Sequence, residues 1–160
     1  MITYDNGLFS LQGEDFTCLL RVNEWGLLEQ LYFGPKVESA DFAAFQPDPG
    51  IGWGGSVLLE TGNNASCPDA MPLAWSGSGR GDYRESPLDL GVSTDFRYET
   101  HEILETPVPM TGGLPSASGK GEQLKITMAQ KGLKLNLYFG IFGGVLTRRT
   151  VLHNTGEAPV

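Results

Sequence analysis

Two neighbouring runs in the C-terminal third limit the fold more than any other feature. Leu124, Ile126 and Met128 alternate with polar residues, and Leu133, Leu135, Leu137 and Phe139 do the same after the link Ala129-Gln130-Lys131-Gly132. Side chains on a strand point to opposite faces in turn, so each run gathers its apolar residues on one face. The short link then closes the two as an antiparallel hairpin. A helix would need apolar positions three and four apart, and no stretch keeps that spacing for three turns.

The rest of the chain reads in the same way. Asn6-Gly7 is a turn signal, and Leu8-Phe9-Ser10-Leu11 is a short strand closed by Gln12-Gly13. Phe16 to Val22 is a second strand. Gly26 turns the chain into Leu27–Phe33, and Gly34-Pro35 ends that run, which makes a three-stranded meander. The alternation here is imperfect, which predicts strands covered on both faces. Further on, Asp95 to Ile103 alternates as a half-solvated strand, and Gly143-Gly144 introduces another over Val145–Leu152. His153-Asn154-Thr155-Gly156 reads as a turn, with a further strand beginning at Glu157–Val160. The expected class is all-β: two packed antiparallel sheets forming a β-sandwich with hairpin connections.

At 160 residues the chain is one domain, 1–160, or a piece of a larger one. It can bury roughly 70% of its unfolded surface and needs no staples. The net charge of −8, with no Lys/Arg cluster beyond Arg148-Arg149, argues against nucleic acid and against an anionic membrane. Cys18 and Cys67 give neither a metal-ligand spacing nor a disulfide framework. No metal or cofactor is expected. The start lacks a signal peptide and no apolar run is long enough to span a membrane, so the expected compartment is the cytoplasm.

Between Lys36 and Leu73 the pattern dissolves into prolines and glycines around one apolar island, Val57-Leu58-Leu59. Long loops in compact domains are more often functional than decorative. Within this one, Trp53 sits among glycines, where an indole can stack on a sugar or enter a partner's pocket. It can equally fold back as a lid over the sheet, and both readings stand.

The segment Trp75–Pro87 carries the densest chemistry. Gly77, Gly79 and Gly81 free its backbone, and Arg80, Asp82, Arg84 and Glu85 set four charges around Tyr83. Such a knot suits sugar or anion recognition, and it suits a salt-bridged loop pinned to a sheet. The structural division has Trp75 packed beneath while Arg80 and Arg84 pair with Asp82 or Glu85, since an Arg–carboxylate fork fixes a loop better than Lys could. No catalytic constellation stands out. His101 beside Glu102 offers a base and an acid, but alternation points neighbours to opposite faces. His153 reads as a turn residue. The Gly-rich stretches lack the Lys-Ser/Thr of a phosphate loop, and no serine sits in a nucleophile elbow.

Several dispersed motifs share one resemblance. Leu27-Leu28-Glu29-Gln30-Leu31-Tyr32-Phe33-Gly34, Leu73 to Pro87, Asp95-Phe96-Arg97-Tyr98 with His101-Glu102-Ile103, Gly113-Leu114-Pro115, and Arg148 with Asn154-Thr155-Gly156 occur in order along nearly the whole chain. They resemble the N-terminal domain of bacterial α-galactosidases of glycoside hydrolase family 36. The resemblance implies the first part of a galactose-mutarotase-like β-supersandwich that continues past Val160. It also implies a separate catalytic (β/α)8 barrel with two aspartates, which has no counterpart in this chain.

On that reading the chain itself is inactive. Its partners are the barrel of the same enzyme and further copies in a homo-oligomer, and α-galactosides bind only in the full-length protein. The resemblance further implies that part of Asp41–Leu73 reaches a neighbouring subunit's active site, with Asp41 and Trp53 as candidates. Unpaired sheet edges would favour self-association. Two alternatives are a stand-alone carbohydrate-binding sandwich and a mutarotase-type epimerase using His101, Glu102 or His153. Fold likeness alone decides neither.

Overall fold

The computed structural model describes residues 1–46, 57–79, 81–110, 112–157 and 159. It is an all-β architecture of two four-stranded antiparallel sheets, each with its strands in sequence order. The first holds β1 (Ile2–Asp5), β2 (Leu8–Gln12), β3 (Phe16–Val22) and β4 (Leu28–Pro35). The second holds β5 (Arg97–Leu104), β6 (Glu122–Gln130), β7 (Leu133–Phe142) and β8 (Val145–Asn154).

The predicted hairpin is the spine of the second sheet. Leu124 pairs with Phe139, Ile126 with Leu137 and Met128 with Leu135, and all six are buried. The strands run further than their apolar residues, so the link shrinks to Lys131-Gly132, with Gly132 at positive φ. These side chains meet Phe9, Leu11, Cys18, Leu20 and Leu28 from the first sheet in one continuous core. Burying a side chain of this size stabilises the fold by about 1.5–3 kcal/mol. On β3, every residue from Phe16 to Leu20 is buried, as a strand covered on both faces should be. Residue 37 helps cover it: the Thr17 hydroxyl accepts from the Val37 amide at 3.1 Å.

Four details differ from the sequence reading. The opening meander has four strands, because Asn6 (φ 46°) and Gly7 (φ 85°) form a tight turn that pairs Ile2–Asp5 with β2. β4 continues through Gly34-Pro35, since Pro35 lies at the strand's end and its pairing with Phe16 does not require an amide. His153 lies in β8 opposite Lys134 rather than in a turn. Strict alternation also fails in β5, where Glu99 is the extra residue of a bulge between Tyr98 and Thr100. The strand onset read at Glu157–Val160 falls partly outside the described residues.

Among the described residues, the connection from β4 to β5 holds no strand of its own. Short 3-10 turns span Ser39–Phe45, Asn64–Ser66 and Pro68–Ala70. It then borrows the free edge of β4: the Gln30 amide donates to the Pro72 carbonyl and the Ala74 amide to the Leu28 carbonyl, each at 2.8 Å. That places residues 72–74 as an antiparallel border to the first sheet and sets the entry point of the Trp75–Pro87 segment.

Candidate functional site

Trp75, the first residue past this border, turns into the core. It is 6% exposed and meets Phe96 edge-on, with ring centroids 6.4 Å apart. Phe96 immediately precedes β5, so the indole couples the segment to the second sheet. Two residues on, the backbone runs against Thr94: a Cβ on Gly77 would lie 2.7 Å from the Thr94 carbonyl oxygen. The Ser78 amide donates to the Thr94 hydroxyl at 2.9 Å, and the Thr94 amide returns a bond to the Ser78 carbonyl at 3.0 Å. Gly81 takes φ +81°, and a Cβ there would come within 2.5 Å of Val57 Cβ. Glycine is therefore required at 77 by close approach and at 81 by both conformation and space.

The charges divide unequally. Arg84 Nε donates to Asp82 Oδ1 at 2.8 Å and Nη2 to Oδ2 at 3.1 Å, which is a two-pronged fork. The same guanidinium reaches back to the carbonyls of Met71 (2.7 Å) and Pro68 (2.9 Å). Arg84 thus ties its own loop to the 3-10 turn that leads into the β4 border. Burial of the Asp82 carboxyl pushes its pKa up, but hydrogen bonds from Arg84 and Ser76 with the Arg84 charge outweigh it and hold the group below its ordinary value. Glu85 is exposed and takes no ion pair among the described residues. Tyr83 projects outward at 71% exposure. Arg80 lies outside the described residues.

The segment is also fastened from the β5 side. Arg97 Nε donates to Asp95 Oδ1 at 2.7 Å and Nη1 to the Trp25 carbonyl at 2.6 Å, so the guanidinium bridges the two sheets. Sequence reading missed this contact, as it missed the buried Glu29. That carboxylate accepts from Arg21 Nε at 2.8 Å and from Asn23 Nδ2 at 3.0 Å. Arg21 and Glu29 sit opposite each other on β3 and β4, so a strand register would have revealed the pair.

The catalytic candidates are dispersed. The bulge at Glu99 turns Tyr98 and His101 to the same inner face, where the Tyr98 hydroxyl lies 2.7 Å from His101 Nδ1. The His101 ring packs on Tyr4 and Phe9 at 4.3 and 4.9 Å between centroids. Glu102 faces the other way and accepts from Lys125 Nζ at 2.6 Å. His153 Nε2 lies 3.0 Å from Asn136 Nδ2, whose amide oxygen accepts from Thr127. Burial pushes the Cys18 thiol up to about 11, against the pull of Arg148, which leaves it protonated and unreactive. Among the described residues no group of three or more His, Cys, Asp and Glu side chains could hold a metal ion. No helix there is long and apolar enough to cross a membrane.

Asp41 is exposed in the first turn of the Ser39–Phe45 3-10 helix, where its amide donates to the Glu38 carbonyl at 3.0 Å. That turn lies beside β4, where Phe45 packs on Tyr32 at 4.4 Å. Trp53 lies outside the described residues.

A family model described as the glycosyl hydrolase family 36 N-terminal domain matches residues 26–160. The bifunctional alpha-galactosidase/sucrose kinase AgaSK of Mediterraneibacter gnavus is 26% identical over 166 residues, covering 96% of this chain and 17% of that protein. Alpha-galactosidase Mel36A of Lactobacillus acidophilus is 27% identical over 176 residues, covering 100% of this chain and 24% of its own length. The solved galactosidase domain of AgaSK gives a TM-score of 0.83 at 25% identity, over 98% of this chain and 23% of that one. AgaB, a GH36 alpha-galactosidase from Geobacillus stearothermophilus, gives 0.75 at 23% identity over the same shares, a likeness of fold alone. The chain therefore spans only between 17% and 24% of the length of these relatives. With the match running from residue 26 through all of β4 to β8, this chain belongs to the glycosyl hydrolase family 36 N-terminal domain family.

Proposed function

We propose that this chain is the non-catalytic N-terminal β-sandwich of an α-galactosidase that releases terminal α-linked galactose. It serves as scaffold for a (β/α)8 barrel carried by the same protein. The observation that carries this reading is the family match over 26–160, joined to relatives called alpha-galactosidases of which the chain covers about a fifth. The side chains are consistent with it. His101 and Glu102, the adjacent pair that acid–base chemistry would use, are committed to separate contacts on opposite faces.

In this reading the Trp75–Pro87 segment is a brace. Arg84, Asp82 and Trp75 hold the long β4–β5 connection against both sheets, and Asp41 and Trp53 in that connection contribute to contacts between subunits and to a neighbouring active site. The test has two arms. The 160-residue chain is expected to release no nitrophenol from p-nitrophenyl α-galactoside, whereas the longer protein that contains it does so. Galactose release by the chain alone overturns the reading. In the longer protein, Asp41→Ala and Trp53→Ala are expected to shift KM or subunit association. Unchanged kinetics and unchanged sedimentation for both variants would remove the loop from the proposal.

A further inference from the structure

On the outer face of the second sheet, Glu102, Lys125, Tyr138 and Arg149 stand side by side in register across the four strands. Lys125 Nζ donates to Glu102 at 2.6 Å, which neutralises that charge. Arg149 has no such partner among the described residues. It lays its guanidinium on the Tyr138 ring, 4.3 Å from the centroid, and Nη1 donates to the Pro109 carbonyl at 3.2 Å. Stacking of this kind fixes a guanidinium without cancelling its charge, and Nη2 keeps its hydrogens for a further acceptor.

Arg149 borders a cavity of about 310 Å³ beneath the crossing from β5 to β6. Small-molecule sites run from roughly 300 to 1,000 Å³. Among the described residues Arg149 is the one charged side chain lining it, so no carboxylate there repels an anion. The floor forms around Gly140, which pairs with Gln123 on one side and Thr147 on the other. Without a side chain at 140 its neighbours lean over it: a Cβ there would lie 2.6 Å from Thr147 Oγ1 and 2.9 Å from the Phe142 ring. Gln123 is 5% exposed and accepts the Val108 amide on Oε1 at 3.0 Å. That bond fixes the amide's orientation and leaves Nε2 as a donor on the Gly140 side. The Thr147 hydroxyl donates to the Gly140 carbonyl at 3.3 Å, so towards a ligand it offers only lone pairs. Pro107, Val108 and Phe142 add apolar wall.

A cation, an amide donor, a hydroxyl acceptor and apolar wall together ask for a molecule with an anionic group, a hydroxyl and C–H faces. We propose that this cavity binds a small hydroxylated organic anion, a sugar acid or a sugar phosphate. Its charge meets Arg149 Nη2, one of its oxygens accepts from Gln123 Nε2, and one of its hydroxyls donates to Thr147 Oγ1. A carboxylate and a phosphate ester both suit a guanidinium in this way. The cavity is built from this domain's own residues, so the inference does not rest on the scaffold reading.

Calorimetric titration of the 160-residue chain at low ionic strength tests it, with glucuronate, glycerol phosphate and glucose as probes. Saturable heat is expected with at least one of the two anions and none with glucose, and the anion that binds tells carboxylate from phosphate. Arg149→Met keeps the apolar stem but not the charge, and should weaken that binding about tenfold or more. Because Arg149 also holds the crossing at Pro109, a second reading covers a variant that does not fold. In NMR spectra of the native chain, the bound anion should shift the Gln123 side-chain amide. No saturable binding of either anion, glucose binding as well as they do, unchanged affinity in a folded Arg149→Met, or shifts that spare Gln123 would each overturn the proposal.

Discussion

The second sheet and the connection that leads into it are held by different physics. In β6 and β7, stability comes from a repeated unit: one buried aliphatic side chain every second residue and a backbone ladder that the pairing completes. No single residue is special, because neighbours in register share the load. Residues 57–95 have no such repeat. They are fixed at a few points, by Arg84 on the Met71 and Pro68 carbonyls, by Ser78 on Thr94, and by Trp75 against Phe96. A region fastened at points should open locally, whereas a region fastened by repetition should open only when the whole domain does.

The largest expected effect tests the repetitive side. Leu137→Ala, at a fully buried position, should cost about 2–5 kcal/mol in urea denaturation and lower every probe of folding together. Arg84→Met should cost less, about 1–3 kcal/mol, since Asp82 is left buried without its fork while Arg84 is itself partly exposed. Its signature is spatial: hydrogen exchange should accelerate across 57–95 and stay unchanged in β6 and β7. Equal acceleration in both regions would erase the distinction. Gly81→Ala should cost about 1–2 kcal/mol, because φ +81° disfavours any L side chain. Relief by a second change, Val57→Ala, would show how much of that comes from the clash with Val57 rather than from the backbone.

A smaller effect concerns pH. The folded Asp82 carboxyl sits below its unfolded value of 3.8, so its stabilising contribution is complete above that pH and is lost as pH falls through the lower folded value. The stability difference between the native chain and Asp82→Asn should therefore be constant near neutrality and shrink on acidification below about pH 4. A difference that grows on acidification would contradict the pairing. The smallest effect belongs to Tyr83→Ser: at a site 71% exposed, the change should stay within about 0.5 kcal/mol.

The two regions were not equally legible. Strand periodicity exposed the apolar stretches of β6 and β7, though not their full lengths, because a period of two has few other physical meanings. β1 escaped because only Ile2 of its four residues is buried, leaving no alternation to read. The bulge at Glu99 escaped because an inserted residue carries no side-chain signature, yet it decides that Tyr98 and His101 share a face. In the brace, composition announced an ion pair but not its geometry. Asp82 was one of two acids available to Arg84, and the Met71 and Pro68 carbonyls carry no mark distinguishing them from any other backbone oxygen.

By itself the sequence determined the all-β class, most strand positions and the family resemblance. These depend on local periodicity and on residue order. Only the tertiary structure decided which carboxylate takes Arg84, that residues 72–74 border β4, and that Arg97 joins the two sheets through Trp25. Those contacts join residues up to 72 positions apart. Hydrogen bonds are short-ranged and directional, so such partners are fixed only when both sheets are in place.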